Sequence, residues 1–209
     1  MNTPADTHAR SAVAHLKQGR PQSALADLDL ALLVDPESGV LHCLRGQALW
    51  ALGRSESALA ELDRAIELEP DVAHAWPRRA GLHLQLGNWS AAEGDATRAL
   101  EMGHAEAAVW QLRGQARYRL SQLSGAVADL TEAISREPDE PAAFYWRGLA
   151  LRDGGDDRSA VADFDAAIAL NDRYPEAYVA RGKARANLGD MRGASSDWAI
   201  AAQMLHQSH

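Results

Sequence analysis

The sequence predicts an all-α fold built from six copies of one helix–turn–helix unit. Three observations carry this expectation. Ala24, Ala58, Ala92, Ala126, Ala160 and Ala194 are spaced by 34 residues, and so are Ala31, Ala65, Ala99, Ala133, Ala167 and Ala201. A third position at the same interval is always small: Ala12, Gly46, Ala80, Gly114, Gly148 and Gly182. The strings ALAELDRAIELEP (58–70) and AVADLTEAISREP (126–138) lie two periods apart, with alanines, apolar positions and the closing Glu-Pro in step. A fixed period of this size marks a repeat array. The frames are 5–38, 39–72, 73–106, 107–140, 141–174 and 175–208, so a single array over 5–208 is expected, with no room for a second domain.

Each frame divides into two helices. The first half has small and apolar residues at helical spacing, as at Trp110, Gly114 and Ala116. A break follows at Gly19, Gly53, Gly87 and Gly154-Gly155, where glycine ends a helix in the left-handed conformation. Pro21 or Ser55 can then open the second helix. That helix carries the alanine stripe and stops near Pro36, Pro70 and Pro138, because proline cannot continue it. Thr3-Pro4-Ala5-Asp6 reads as a cap on the first helix. The alanines are small because helices cross there, and a large side chain at Ala65 or Ala133 should cost about 1–3 kcal/mol by overpacking. Repeat three is irregular. It has Glu93-Gly94 in its second helix and Met102-Gly103-His104 in place of a proline stop, which predicts a different joint to repeat four. Pro77 should delay its first helix. In the last repeat Ser195 and Ala202 replace apolar residues, as suits an end face, but Met204 and Leu205 leave the cap incomplete.

Composition narrows the function. The chain of 209 residues is 46% hydrophobic and 24% charged, within the globular range. Its net charge of −8, from 21 Lys+Arg and 29 Asp+Glu, argues against nucleic acid as the main partner. Cys43 is the sole cysteine, so no intramolecular disulfide forms, in keeping with a reducing compartment. Neither a signal peptide nor a run of the ~20 apolar residues needed to cross a bilayer is present, so no membrane contact and a cytoplasmic location are expected.

The frame, with a small eighth residue and alanines at positions twenty and twenty-seven, resembles the tetratricopeptide repeat. Trp76, Trp110, Phe144 and Tyr178 match the family's aromatic at position four. Leu62, Leu130, Phe164 and Trp198 match its large residue at twenty-four, and Pro36, Pro70 and Pro138 its proline at thirty-two. The resemblance implies a right-handed α–α superhelical solenoid of six units whose first helices line a concave groove. One departure stands out. Position seven, usually leucine, is Arg45, Arg79, Arg113, Arg147 and Arg181, and position twenty-three is always acidic, from Asp27 to Asp197. An Arg–acid clip between the two helices of each repeat is expected. As a half-exposed pair it would contribute about 0–1 kcal/mol.

Signatures of catalysis are missing: no phosphate-binding glycine loop, no H-E-x-x-H, no G-x-S-x-G and no dinucleotide turn. Six of the eight histidines share repeat positions in pairs, His8 with His42, His15 with His83 and His104 with His206, and ligand spacing is lacking, so neither a metal nor a cofactor is expected. Asp153-Gly-Gly-Asp-Asp157 lacks the ligand series of a calcium loop. An enzyme is therefore not expected.

What remains is the groove. The family's lining positions, carried onto this chain, give Gln47, Trp50, Arg78, Gln111, Gln115, Tyr118, Arg119, Tyr145 and Arg152 as the candidate peptide-binding residues. Trp, Tyr and Arg dominate interface hot spots. Across the wider lining, Arg10, Lys17, Arg78, Arg119, Arg152 and Lys183 outnumber Asp6, Asp153 and Glu176. A mildly basic channel in an acidic molecule favours a protein or peptide partner with acidic residues or a free carboxylate. The Lys–Asn pairing by which family members hold chaperone C-termini is missing from every frame. The expected function is a non-catalytic scaffold or adaptor, monomeric or weakly homo-oligomeric. The alternative is a structural protein that self-assembles through its repeat ends.

Overall fold

The computed structural model describes residues 3–72 and 74–207, which form twelve helices and no strand. The helices are α1 (Pro4–Lys17), α2 (Pro21–Val34), α3 (Gly39–Ala51), α4 (Ser55–Leu68), α5 (Ala75–Gln85), α6 (Trp89–Glu101), α7 (Ala107–Arg119), α8 (Leu123–Arg136), α9 (Pro141–Asp153), α10 (Asp157–Leu170), α11 (Pro175–Asn187) and α12 (Met191–Gln207). Each frame holds one antiparallel pair, as in an all-α repeat solenoid.

Local chemistry sets the helix ends. Thr3 and Asp6 form a reciprocal capping box at α1, each side chain accepting from the other's backbone N–H. The α2, α4 and α8 helices stop two residues before Pro36, Pro70 and Pro138. The turn residue at frame position fifteen has positive φ in all six repeats. It is glycine at 19, 53, 87, 155 and 189 and Ser121, at φ 61°, in repeat four. Pro77 delays α5, which begins two residues later in its frame than the other inner first helices. The α6 helix runs unbroken through Gly94.

The periodic alanines fill the core: all twelve are at most 1% exposed. The small residue at position eight answers the large one at twenty-four. A Cβ on Gly114 would come within 2.7 Å of Leu130 Cγ, and one on Gly148 within 2.7 Å of Phe164 Cε1. These glycines are spaces into which the facing helix inserts its largest side chain.

The arginine clips are present in all five repeats that carry the arginine. Arg113 grips Asp129 and Arg147 grips Asp163, each with two bonds of 2.7–2.9 Å, as Arg79 grips Asp95; Arg181 holds Asp197 at 2.6 and 3.0 Å, and Arg45 holds Glu61 at 2.5 Å. The four aspartates are deeply buried rather than half-exposed, the Asp129 side chain being 3% exposed, and Glu61 is more open at 16%. Each arginine has further partners. Its guanidinium lies over the aromatic three residues before it in four repeats, 5.0–5.8 Å from the ring centre. It also reaches back to the preceding repeat: Arg79 to Asp63 at 2.8 Å, Arg181 to Asp165 at 2.6 Å, Arg147 to Thr131 at 3.1 Å and Arg45 to Asp29 at 3.4 Å. The clip thus ties repeats to one another as well as helices within a repeat.

The chain forms two compact units, Met1–His104 and Ala105–His209. The boundary falls where repeat three lacks its proline stop. In the first unit α1 touches α3 and α3 touches α5. In the second α7 touches α9 and α9 touches α11. No second helix touches another second helix among the described residues of either unit. The second helices are therefore splayed apart, and the first helices form the inner face of each unit.

Candidate functional site

In the second unit the inner face opens into a cavity of about 340 Å³. Tyr118 and Arg119 of α7, Tyr145, Trp146, Leu149 and Arg152 of α9, and Glu176, Val179 and Lys183 of α11 line it, with Leu205 of α12 at its edge. These first-helix residues recur at three- to four-residue spacing, so one stripe of each helix faces the space.

The walls are aromatic. Trp146 takes Tyr118 edge-on at 5.7 Å and Tyr145 edge-on at 5.6 Å, and Tyr145 packs on Tyr174 at 5.0 Å and Phe164 at 6.1 Å. Such contacts hold the rings in fixed positions. The Arg119 guanidinium lies over the Trp146 ring, 5.1 Å from its centre. The Tyr118 hydroxyl donates to Asp153 Oδ2 at 2.7 Å. Burial, then this bond and the Asp153 charge, push the phenol up to about 12, so it stays a donor at neutral pH. Burial, then the Glu176 charge, raises Tyr145 as well. Arg152 donates twice to Asp153 Oδ1, at 2.9 and 2.7 Å, so its charge is answered locally. Arg119 and Lys183 are exposed at the rim, with Glu176 as the one acid in the lining. The cavity can therefore hold an apolar or aromatic group, with basic side chains beside it.

The candidate residues divide by unit. Tyr118, Arg119, Tyr145 and Arg152 come together in this cavity. Gln111 and Gln115 stand half-buried on α7, about two turns and one turn before Tyr118 respectively, and outside the lining. In the first unit, the Trp50 ring covers Gly81 and its Nε1–H donates to Gln85 Oε1 at 2.5 Å. Arg78 donates to Cys43 Sγ at 3.4 Å, and Gln47 is half-buried on α3. Trp50 and Arg78 thus bridge adjacent first helices. The candidate set omitted Trp146, although its frame position borders the groove, and Lys183, which occupies a lining position. No periodic signal marked Leu205, because it comes from the end of the last second helix.

Two other polar clusters are framework. His42 joins Glu61 Oε2 at 2.8 Å and the Pro36 carbonyl at 3.0 Å. In the acidic turn, Asp153 is engaged as above, Asp156 caps α10 through Ser159 N–H, and Asp157 accepts from Asn187. No helix among the described residues is long and apolar enough to cross a membrane.

The family model described as tetratricopeptide repeat matches residues 43–109 and 112–175. Among solved structures, PilW, described as a widely conserved type IV pilus biogenesis factor, is 17% identical, with 94% of this chain and 91% of that chain covered and a TM-score of 0.82. YrrB, described as a tetratricopeptide repeat protein with an unusual peptide-binding site, is 20% identical over 85% of this chain and 91% of that chain, with a TM-score of 0.71. MamA from Desulfovibrio magneticus RS-1 is 21% identical over 81% of this chain and 96% of that chain, with a TM-score of 0.72. These likenesses are of fold. A comparison with curated proteins gives no match.

Proposed function

We propose that this chain, which belongs to the tetratricopeptide repeat family, is a non-catalytic scaffold that takes a partner peptide on the inner face of its second unit. A protein-interaction scaffold is what the fold implies, and the finer reading rests on one observation. The cavity between α7, α9 and α11 combines fixed aromatic walls with Arg119 and Lys183 at its rim. An apolar or aromatic anchor fills the cavity, and acidic residues or a free carboxylate beside it meet the two cations. YrrB, described as having a peptide-binding site, lends the reading support by fold.

Selection from a random-peptide display library tests it. Peptides enriched on the wild type should pair an aromatic or aliphatic residue with Asp or Glu. They should lose binding to Tyr145→Ala and weaken about tenfold on Lys183→Glu. Enriched peptides that are basic, or that hold both variants as tightly as wild type, would contradict it.

Self-association through the last repeat is the second reading. It is favoured by the exposure of Leu188, Met191, Trp198 and Leu205 there. Sedimentation at rising concentration decides it: a mass that stays monomeric rejects it.

A further inference from the structure

The second helix of the first repeat departs from those of repeats two to four on its outward face. At the frame positions where α4, α6 and α8 carry the charged pairs Arg64–Glu67, Arg98–Glu101 and Glu132–Arg136, α2 has Leu30, Leu33 and Val34. Leu33 is 81% exposed, and Leu30 and Val34 are each about half exposed. The inward side of α2 is already supplied by Leu25, Leu28 and Leu32. The C-terminal half of α2 therefore carries apolar side chains on its outward face as well as its inward one, with Asp29 beside the outward row, and an outward apolar row of this kind is ordinarily covered.

The surroundings say what covers it. Leu33 borders a concavity of about 420 Å³ shared with Leu32, Pro36, Asp29, His42 and Arg45. Asp29, with its side chain 67% exposed, lines the concavity, and the exposed Asp35 and Glu37 follow the patch directly in the chain. The guanidinium in the lining, Arg45, is held by Glu61 and Asp29. A second copy of this face would bring acidic rims together, and an anionic lipid surface would be repelled likewise. We propose that the outer face of α2 docks a basic amphipathic segment of another protein. Its apolar row lies over Leu30, Leu33 and Val34, and a Lys or Arg beside that row enters the concavity toward Asp29. The surface is on the splayed second-helix side of its unit. It is independent of the inner-face site proposed above.

Two fluorescent peptides of about 18 residues, five helical turns, test this. Both carry one row of Leu, set among Lys in the first and among Glu in the second. Each is titrated by anisotropy, at physiological salt, against wild type, Leu30→Glu/Leu33→Glu and Asp29→Asn/Glu37→Gln, with circular dichroism confirming that each variant is folded. The Leu/Lys peptide should bind wild type about tenfold more tightly than either variant, and the Leu/Glu peptide should not bind. The double Glu variant is the more acidic protein, so bulk charge attraction predicts the opposite order. Equal or tighter binding to that variant, or binding of the Leu/Glu peptide, would overturn the proposal. So would a wild-type dimer in sedimentation that Leu30→Glu/Leu33→Glu dissolves, because the face would then be covered by a second copy.

Discussion

Asp129 shows what one side chain does in this framework. It accepts two bonds from Arg113 and one from Arg117, all at 2.7–2.9 Å, while almost wholly buried. Removing it takes the shared carboxylate from two largely buried guanidinium groups. Asp129→Ala should cost about 3 kcal/mol in denaturant unfolding, where a surface carboxylate such as Asp165 costs under about 1 kcal/mol. Ser121 is the reverse case, since it holds the left-handed conformation that glycine takes in the other five repeats. Ser121→Gly should raise stability by about 1 kcal/mol, read as an upward shift of the unfolding midpoint. Glu61 adds a pH dependence. Burial raises its carboxyl, but hydrogen bonds from Arg45 and His42, with their charges, outweigh this and hold it below its ordinary 4.5. A depressed carboxylate contributes stability that is present above 4.5 and lost as pH falls through the lower folded-state value. The excess stability of wild type over Glu61→Gln should therefore shrink as pH falls below 4.5. A difference that persists unchanged to about pH 2 would contradict the role assigned to this pair.

At the scale of the helix pair, the framework is a set of matched volumes. Gly148 leaves room for Phe164, and Gly114 for Leu130, whereas repeat three sets the larger Ala80 with the smaller partner Ala96. Gly148→Ala alone should cost about 1–3 kcal/mol. Phe164→Leu in the same chain should recover part of that loss, an interaction a double-mutant cycle measures directly. Much of this was legible in the sequence. The alanine period, the proline stops, the Thr3 cap and the delay caused by Pro77 all concern one residue type meeting one local constraint. The Arg–acid clip was legible too, because both partners recur in step. Its depth and its backward reach were not. Asp29, Asp63 and Asp165 also recur, but nothing local distinguishes an acid that bridges to the next repeat from a solvated one. That distinction depends on how closely neighbouring pairs pack.

At the scale of the molecule, the net charge of −8 is unevenly spread, which is what lets two faces favour different partners. The inner face of the second unit has Arg119 and Lys183 at its rim, and the outer face of α2 is bordered by Asp29, Asp35 and Glu37. The first of these faces was half legible. Family positions picked out Tyr118, Arg119, Tyr145 and Arg152, which do gather in one cavity. The same rule picked out Trp50 and Arg78, whose side chains are engaged by Gln85 and Cys43 within the first unit. A lining position fixes which way a side chain leaves its helix, not whether a neighbouring helix takes it up. The central claim is that the α7–α9–α11 face receives a partner, and a crystal structure with a display-selected acidic peptide tests it most directly. The account predicts the peptide's apolar anchor against Tyr145 and Trp146, with a carboxylate at Arg119 or Lys183. A peptide bound on the second-helix side, or at the exposed end of α12, would contradict it.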